Sequence, residues 1–227
     1  MAVVVVRPAP GHGATMAALH AAGLTARWIP LFEARAVEWT PPDPDMVDAL
    51  LLTSAQAVRL AGPGLDDLRH KPVVAVGAAT AATARAAGLS VVLTGTRDAA
   101  AVVAEAKAAG LTRLLHLAGR DRVETGAMVR TVYAADPCAI PPEIIGSLAG
   151  ETVLLHSARA AQRLAMLLDE AGLARSMVTL IAISAKVAQA AGAGWAGVVV
   201  ADGPRDDAVV AAARALTRTA ATGISSA

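Results

Sequence analysis

The residues able to do chemistry in this chain stand at the ends of short apolar runs. Arg7 follows "VVVV", Thr53-Ser54 follows "ALLL" and Gly77-Ala78-Ala79-Thr80 follows "VVAV". Further on, Ala118-Gly119-Arg120 follows "LLHL", Ser157-Ala158-Arg159 follows "VLLH", and Ser184-Ala185-Lys186 follows "LIAI". In an open parallel sheet such positions lie beyond the carboxyl ends of the strands, where helix N-termini present free N–H groups and the positive end of the helix dipole. Small residues let a ligand approach the backbone, hydroxyls donate, and a base lies within a few residues of most of these turns. This is an inventory for binding an anion.

Each hydroxyl also has a purely local explanation. Ser and Thr are the preferred N-caps of any helix, so Ser54, Ser157 and Ser184 taken singly read as caps; their recurrence at matched strand ends is what favours a ligand. A nucleophilic Ser54 is disfavoured, because it lacks a G-x-S-x-G elbow and no His and acid are placed to complete a triad. His12, His20, His70, His116 and His156 are widely separated, and none forms a spaced pair with Cys138 or another His, which argues against a metal site. His116 and His156 lie inside strand-like runs and read as packed or hydrogen-bonded. The "GHG" at 11–13 is a poor dinucleotide fingerprint, and no P-loop is present. Tyr133 is the only tyrosine. A phenol in a cleft can donate a proton to a leaving oxygen; its competing reading is a half-buried tyrosine with its hydroxyl satisfied.

The elements that must position these residues follow from composition and pattern. A chain of 227 residues with 55% hydrophobic and 17% charged residues has the material for one large or two small domains with a real core. Its core is built from small side chains, since there are only three Trp, one Tyr and one Phe, and stacking on bases is not its main business. The net charge is +1 with scattered Lys and Arg, so no basic stripe for nucleic acid is visible. The N-terminus reads as a first strand rather than a signal peptide. The stretch 180–201 is broken by Ser184, Lys186 and Gln189 and does not read as a membrane span. A single cysteine excludes an intramolecular disulfide framework, and the expected location is the cytoplasm.

Nine short apolar runs, at 3–6, 26–29, 49–53, 73–76, 91–93, 114–117, 153–156, 180–183 and 198–200, alternate with alanine-rich helical stretches. That order predicts an α/β protein with parallel sheets. Gly23, Gly88, Gly110 and Gly172 each sit in an "AAGL" or "EAGL" string, the expected helix C-cap. Two copies of the pattern are visible. "LLTSAQAVRL" at 51–60 matches "LLHSARAAQRL" at 154–164, "VVAVGAATAATARAAG" at 73–88 matches "LIAISAKVAQAAG" at 180–192, and "VVVVRPAPGHG" at 3–13 faintly echoes "LLHLAGRDRVETG" at 114–126. Proline-rich segments at 30–44 and 133–142 mark two crossings between two similar domains, a hinge of adjacent strands or loops with a ligand cleft beside it. The tail 217–227 is small and polar and is expected to fray.

These strings, with "VVVVRP", "LLHLAGRDR", "VYAADP" and "LIAISAKVAQAAGAGW", occur in an order that resembles the uroporphyrinogen-III synthase family over nearly the whole chain. The resemblance implies two flavodoxin-like α/β domains, 1–33 plus 137–227 and 36–134, joined by a two-stranded hinge, and an enzyme without cofactor or metal. In that family linear hydroxymethylbilane loses its terminal hydroxyl to give an azafulvene. This attacks the substituted carbon of ring D, and the spiro intermediate fragments and recloses with ring D inverted. The resemblance places the family's tyrosine on Tyr133 and its cleft-lining turns on Thr53, Ser54, Thr80, Gly119, Ser157 and Ser184, with Arg7 on a base common there. Ala158, Arg159 and Lys186 rest on position alone. Expected partners are hydroxymethylbilane and, transiently, hydroxymethylbilane synthase, with neither nucleic acid nor membrane, and the chain acting as a monomer.

One departure stands out. Between "LAGRDR" and "VYAADP" only "VETGAMVRT" intervenes, too little for a helix of several turns and a strand. A loop in place of that helix is expected to leave an apolar surface and to weaken any role for Arg120 and Arg122. Two rival readings remain: a catalytically silent two-domain binding protein for a polycarboxylate small molecule, and a nucleotide-dependent enzyme on a doubly wound sheet, for which no fingerprint exists.

Overall fold

The computed structural model describes residues 2–224, with side chains to Arg218. Its strands, in chain order, are β1 (Val3–Val5), β2 (Ala26–Trp28), β3 (Phe32–Ala36), β4 (Ala49–Leu52), β5 (Val73–Ala75), β6 (Val91–Thr94), β7 (Leu114–Gly119), β8 (Met128–Pro137), β9 (Thr152–Leu155), β10 (Thr179–Ala182) and β11 (Gly197–Val200). The helices are α1 (Gly11–Ala21), α2 (Ala55–Leu60), α3 (Ala78–Ala86), α4 (Ala99–Ala108), α5 (Pro142–Gly146), α6 (Ala158–Glu170), α7 (Ala185–Ala191) and α8 (Asp206–Ile224). All nine expected strands are present. The chain divides into two compact units, one taking it up to Glu33 and again from Pro137, the other comprising Ala34–Asp136.

In the first unit five parallel strands lie in the order β11-β10-β9-β1-β2. In the second the order is β3-β8-β7-β4-β5-β6, with β8 through β6 parallel. Leaving β3 aside, β6-β5-β4-β7-β8 repeats the first order from a different starting point in the chain: β4 takes the place of β9, β5 of β10, and β7 of β1. The internal repeats therefore mark a circular permutation of one doubly wound topology, and even the faint echo between 3–13 and 114–126 joins strands in equivalent places. Each sheet has its topological switch point between equivalent pairs, β1 with β9 and β7 with β4.

Continuous burial makes the strands. Val3–Val5, Ala49–Leu52, Val73–Ala75, Leu114–Gly119 and Thr152–Leu155 are buried throughout, as strands covered on both faces must be. In the second unit one face gathers Leu50, Leu52, Leu115 and Leu117, and the other Ala49, Leu51, Val74, Leu114 and Val102. Helices stop where expected: Gly23, Gly88, Gly110 and Gly172 have φ of 75°, 79°, 85° and 69°, in the left-handed region open to glycine.

Two expectations need correction, while the crossings take one of the two forms expected of them. The proline-rich crossings contain adjacent strands, β3 and β8, and β3 runs opposite to β8 at the sheet edge, with Val37 N–H donating to Val132 O and Cys138 N–H to Leu31 O, both at 3.0 Å. An antiparallel edge strand on a parallel sheet tolerates neighbouring prolines because one side of its ladder is free. The segment 217–224 continues α8, since its alanines favour the helix, while 225–227 lie outside the described residues. Finally, the β7–β8 crossover, residues 120–127, has no helix, yet it leaves no bare sheet along β7. Ala127 packs on the face of Leu51 and Leu114, and all of β7 is buried, though Val123 is 70% exposed.

Candidate functional site

The ten residues singled out as site residues fall five to each unit, all at or near the carboxyl ends of parallel strands. In the second unit Thr53 and Ser54 follow β4, Thr80 lies in the first turn of α3 after β5, Gly119 ends β7, and Tyr133 lies on β8. In the first unit Arg7 follows β1, Ser157 and Ala158 follow β9, and Ser184 and Lys186 follow β10.

Tyr133 owes its direction to a one-residue irregularity. Thr131 pairs with Ala118, but Tyr133 pairs with Gly119, so Val132 is an extra residue in β8. A bulge of this kind turns the next side chain to the other face of the sheet. Tyr133 thereby joins Leu115, Leu117 and Val132 on the face covered by α2, half-buried, instead of following Val129 and Thr131. Gly119 makes the room. A Cβ on it would stand 2.7 Å from the Tyr133 Cζ and 2.9 Å from its hydroxyl oxygen, closer than real contacts allow.

The serines divide in a way their sequence contexts do not announce. Ser54 caps α2, accepting from Gln56 N–H at 3.2 Å, and Ser157 caps α6, accepting from Ala160 N–H at 3.2 Å. Ser184 makes no side-chain cap on α7, and its equivalent on α3, Gly77, has none to make. The first-turn N–H groups after β5 and β10 therefore lack a side-chain cap. Lys186 is exposed beside the second of these turns, and Thr80 is buried beside the first.

Arg7 is engaged rather than free. Its Nη1 donates to Asp206 Oδ1 and Oδ2 at 3.0 and 3.1 Å and to Thr15 Oγ1 at 3.2 Å, while the fully buried Thr15 hydroxyl donates to Asp206 Oδ2 at 2.9 Å. Gly11 admits the guanidinium, whose Nη2 would be 2.7 Å from a Cβ there. His156 Nε2 lies 3.3 Å from Asp206 Oδ1, a close polar contact rather than a directed hydrogen bond. Burial, then the nearby Arg7 charge, pushes the His156 pKa down to about 4 against the pull of Asp206, so this imidazole is neutral at pH 7. His12 stacks on Trp28 with ring centroids 3.8 Å apart, and Trp28 Nε1 donates to Arg7 O at 3.0 Å. Arg159 lies over the Phe32 ring, 4.2 Å from its centroid.

Three residues that sequence reasoning left out complete these clusters: Asp206, Thr15 and Thr125. Thr125 approaches His116 Nδ1 at 3.2 Å, while Thr53 Oγ1 lies 3.0 Å from His116 Nε2. The available signal was His116 itself, because a polar side chain inside a buried strand must find partners. Asp206 had no signal beyond an acid at a helix start. Arg120 and Arg35 both hold Asp136, the former at 2.9 Å, and Arg35 foremost lowers its carboxyl pKa. No group of three or more His, Cys, Asp or Glu among the described residues is arranged around a metal position.

Residues 13–211 match the family model of uroporphyrinogen-III synthase HemD. The chain belongs to the uroporphyrinogen-III synthase family. Two crystal structures share its fold. The uroporphyrinogen-III synthetase from Helicobacter pylori 26695 is 19% identical with a TM-score of 0.67, the match covering 95% of this chain and 99% of that one. A mutant uroporphyrinogen-III synthase from the extremely thermophilic bacterium Thermus thermophilus is 18% identical with a TM-score of 0.50, covering 96% of this chain and all of the other. At these identities the likeness is one of fold. No curated protein sequence matches the chain significantly. The family match carries the activity: the chain is a cyclising lyase of tetrapyrrole biosynthesis, closing hydroxymethylbilane to uroporphyrinogen III with release of water. No described helix is long and apolar enough to cross a membrane.

Proposed function

We propose that Tyr133 is the proton donor to the departing hydroxyl of hydroxymethylbilane, and that the strand-end turns hold the substrate's acetate and propionate groups. The observation that supports the first part is the bulge at Val132, which directs the phenol to the carboxyl end of β7 over a glycine that cannot be larger. The Tyr133 hydroxyl gives its proton to the leaving oxygen as the C–O bond breaks, and the electron pair of the pyrrole nitrogen forms the azafulvene. Water leaves. The carbon then bonds to the substituted position of ring D, and the spiro intermediate fragments and recloses with that ring inverted. The resulting phenolate recovers its proton when the final pyrrole rearomatises.

Holding the chain is the larger task, because the linear substrate closes unaided to the symmetric isomer. Catalysis is therefore mainly orientation. Eight carboxylates need donors, and each unit offers its own set. The first turns of α3 and α7, uncapped by side chains, present N–H groups to anions. Ser54 and Ser157 accept a hydrogen bond as caps and keep their own O–H to donate, so cap and ligand contact are compatible in one side chain. Gly119 and Ala158 let substrate approach the backbone, Thr53 and Thr80 donate, and Lys186 supplies exposed charge. Arg7, neutralised by Asp206, serves as a fixed set of N–H donors rather than as net charge.

The chain acts as a cytoplasmic monomer on this reading, taking the unstable bilane from hydroxymethylbilane synthase in a transient contact. The test is product isomer analysis with the bilane generated in place. The wild-type protein yields isomer III in excess over isomer I. Tyr133→Phe lowers kcat by ~10²-fold, the low end for a lost general acid, with product affinity little changed. An unchanged rate removes Tyr133 from the role; a folded wild-type protein giving only isomer I points to the silent binding protein instead.

A further inference from the structure

His116 is fully buried in the middle of β7, on the face that also carries Leu51 and Leu114. It is the register partner of Leu51, so Thr53, two residues on and just past the end of β4, comes within reach of its ring on the same face. The two ring nitrogens are both engaged by hydroxyls: Nε2 with Thr53 Oγ1 at 3.0 Å and Nδ1 with Thr125 Oγ1 at 3.2 Å. Thr125 lies in the helix-free β7–β8 crossover, which passes over this face and carries Ala127 onto it. The short crossover thus has a positive consequence: it brings a hydroxyl to a buried histidine.

We propose that His116 is a positioning residue that makes Thr53 a hydrogen-bond donor toward a substrate carboxylate, through a directed chain running from Thr125 to His116 to Thr53. The inference rests on the reading of Thr53 as a substrate contact. Burial holds the imidazole pKa at about 4, so the ring is neutral and carries a single N–H. Only two arrangements then satisfy all three groups. In one, Thr125 O–H donates to Nδ1, Nε2–H donates to Thr53 Oγ1, and the Thr53 hydroxyl hydrogen is turned outward. In the other, Thr53 donates inward to Nε2, Nδ1–H donates to Thr125, and Thr53 faces outward as an acceptor only. A carboxylate accepts and never donates, so it selects the first arrangement. Threonine alone can rotate freely; coupling to the ring and its second partner restricts it to these two states, and in the one the carboxylate selects every member of the chain keeps its hydrogen bond.

The first unit lacks the device. Val5 occupies the position equivalent to His116, pairing with Leu154 as His116 pairs with Leu51, and His156 stands where Thr53 does. The relay belongs to one half of the permuted pair, so it is no general requirement of this sheet.

The test combines spectroscopy with kinetics on the full chain. With histidine labelled by 15N, long-range proton–nitrogen correlations report the tautomer of each ring, and His116→Gln assigns the His116 signals. The expected result at pH 7 is a neutral ring that takes the Nε2–H tautomer when uroporphyrinogen III is added under anaerobic conditions. An Nδ1–H tautomer or a charged ring in the product complex overturns the proposal. In steady-state measurements Thr53→Val raises KM about tenfold, Thr125→Val raises it severalfold with kcat within twofold, and the double variant is no worse than Thr53→Val alone. If Thr53→Val leaves KM unchanged, the reading of Thr53 itself has failed. If Thr53→Val raises KM but Thr125→Val has no effect, or its effect multiplies with the first, Thr53 stands and the relay is wrong.

Discussion

The ring of Tyr133 occupies the place where a side chain on Gly119 would begin. The two residues are register partners across β7 and β8, and the clash distance of 2.7 Å involves the phenol's own Cζ. Gly119 is therefore a residue of space, and its role follows from its partner. Gly119→Ala pushes the ring out of place and lowers the rate of isomer III formation by roughly 10-fold or more, since small displacements of a reacting group are costly. Introduced on top of Tyr133→Phe, it costs little further, because the hydroxyl it would misplace is gone. Rates of the two single variants and the double variant check this; independent, multiplying effects contradict it.

Asp206 organises the strand ends of the first unit. It receives Arg7 and the buried Thr15 hydroxyl and lies against His156. Asp206→Ala leaves the Thr15 hydroxyl and the Arg7 guanidinium without their acceptor, and a loss of about 1–2 kcal/mol of stability is expected, less than for a fully buried pair because both charged side chains are about one-third exposed. Asp206→Asn keeps an acceptor for Thr15 and loses less. Urea unfolding of the two variants measures the difference, and equal losses would show that Thr15 contributes nothing.

Acid should destabilise the fold before its carboxylates titrate. His116 and His156 have folded pKa values of about 4 against 6.5 in an open chain, so between those values the unfolded state binds protons that the folded state refuses. Their stabilising contribution is whole above pH 6.5 and is lost as pH falls toward 4, by up to about 1.4 kcal/mol per pH unit for each histidine. Asp48, Asp136 and Asp169, whose pKa values are lowered chiefly by hydrogen bonds from Arg113, Arg35 and Arg175, add their losses only below their ordinary value of 3.8. Denaturant midpoints between pH 7 and 4 should fall in the wild type and fall less steeply in His156→Gln; parallel curves would contradict this.

Much of this protein is legible in its sequence, for reasons that are local. A buried parallel strand needs a continuous apolar run, a helix needs a stop that glycine supplies, and both are readable residue by residue, so nine strands and the repeated α/β plan emerge from pattern alone. The repeats at Thr53-Ser54 and His156-Ser157 likewise show which strand ends are equivalent, and the ordered motifs point to the family. The strands β3 and β8 escape such reading because they sit among prolines and alternate in burial. What only the tertiary structure decides is pairing and direction. Arg7 and Asp206 meet from 199 residues apart, His116 finds Thr53 across 63, and a single extra residue at Val132 turns Tyr133 to the opposite face. A side chain's partner is set by which strands lie side by side and in what register, and a one-residue change of register has no local signature although it reverses the face on which every following side chain stands.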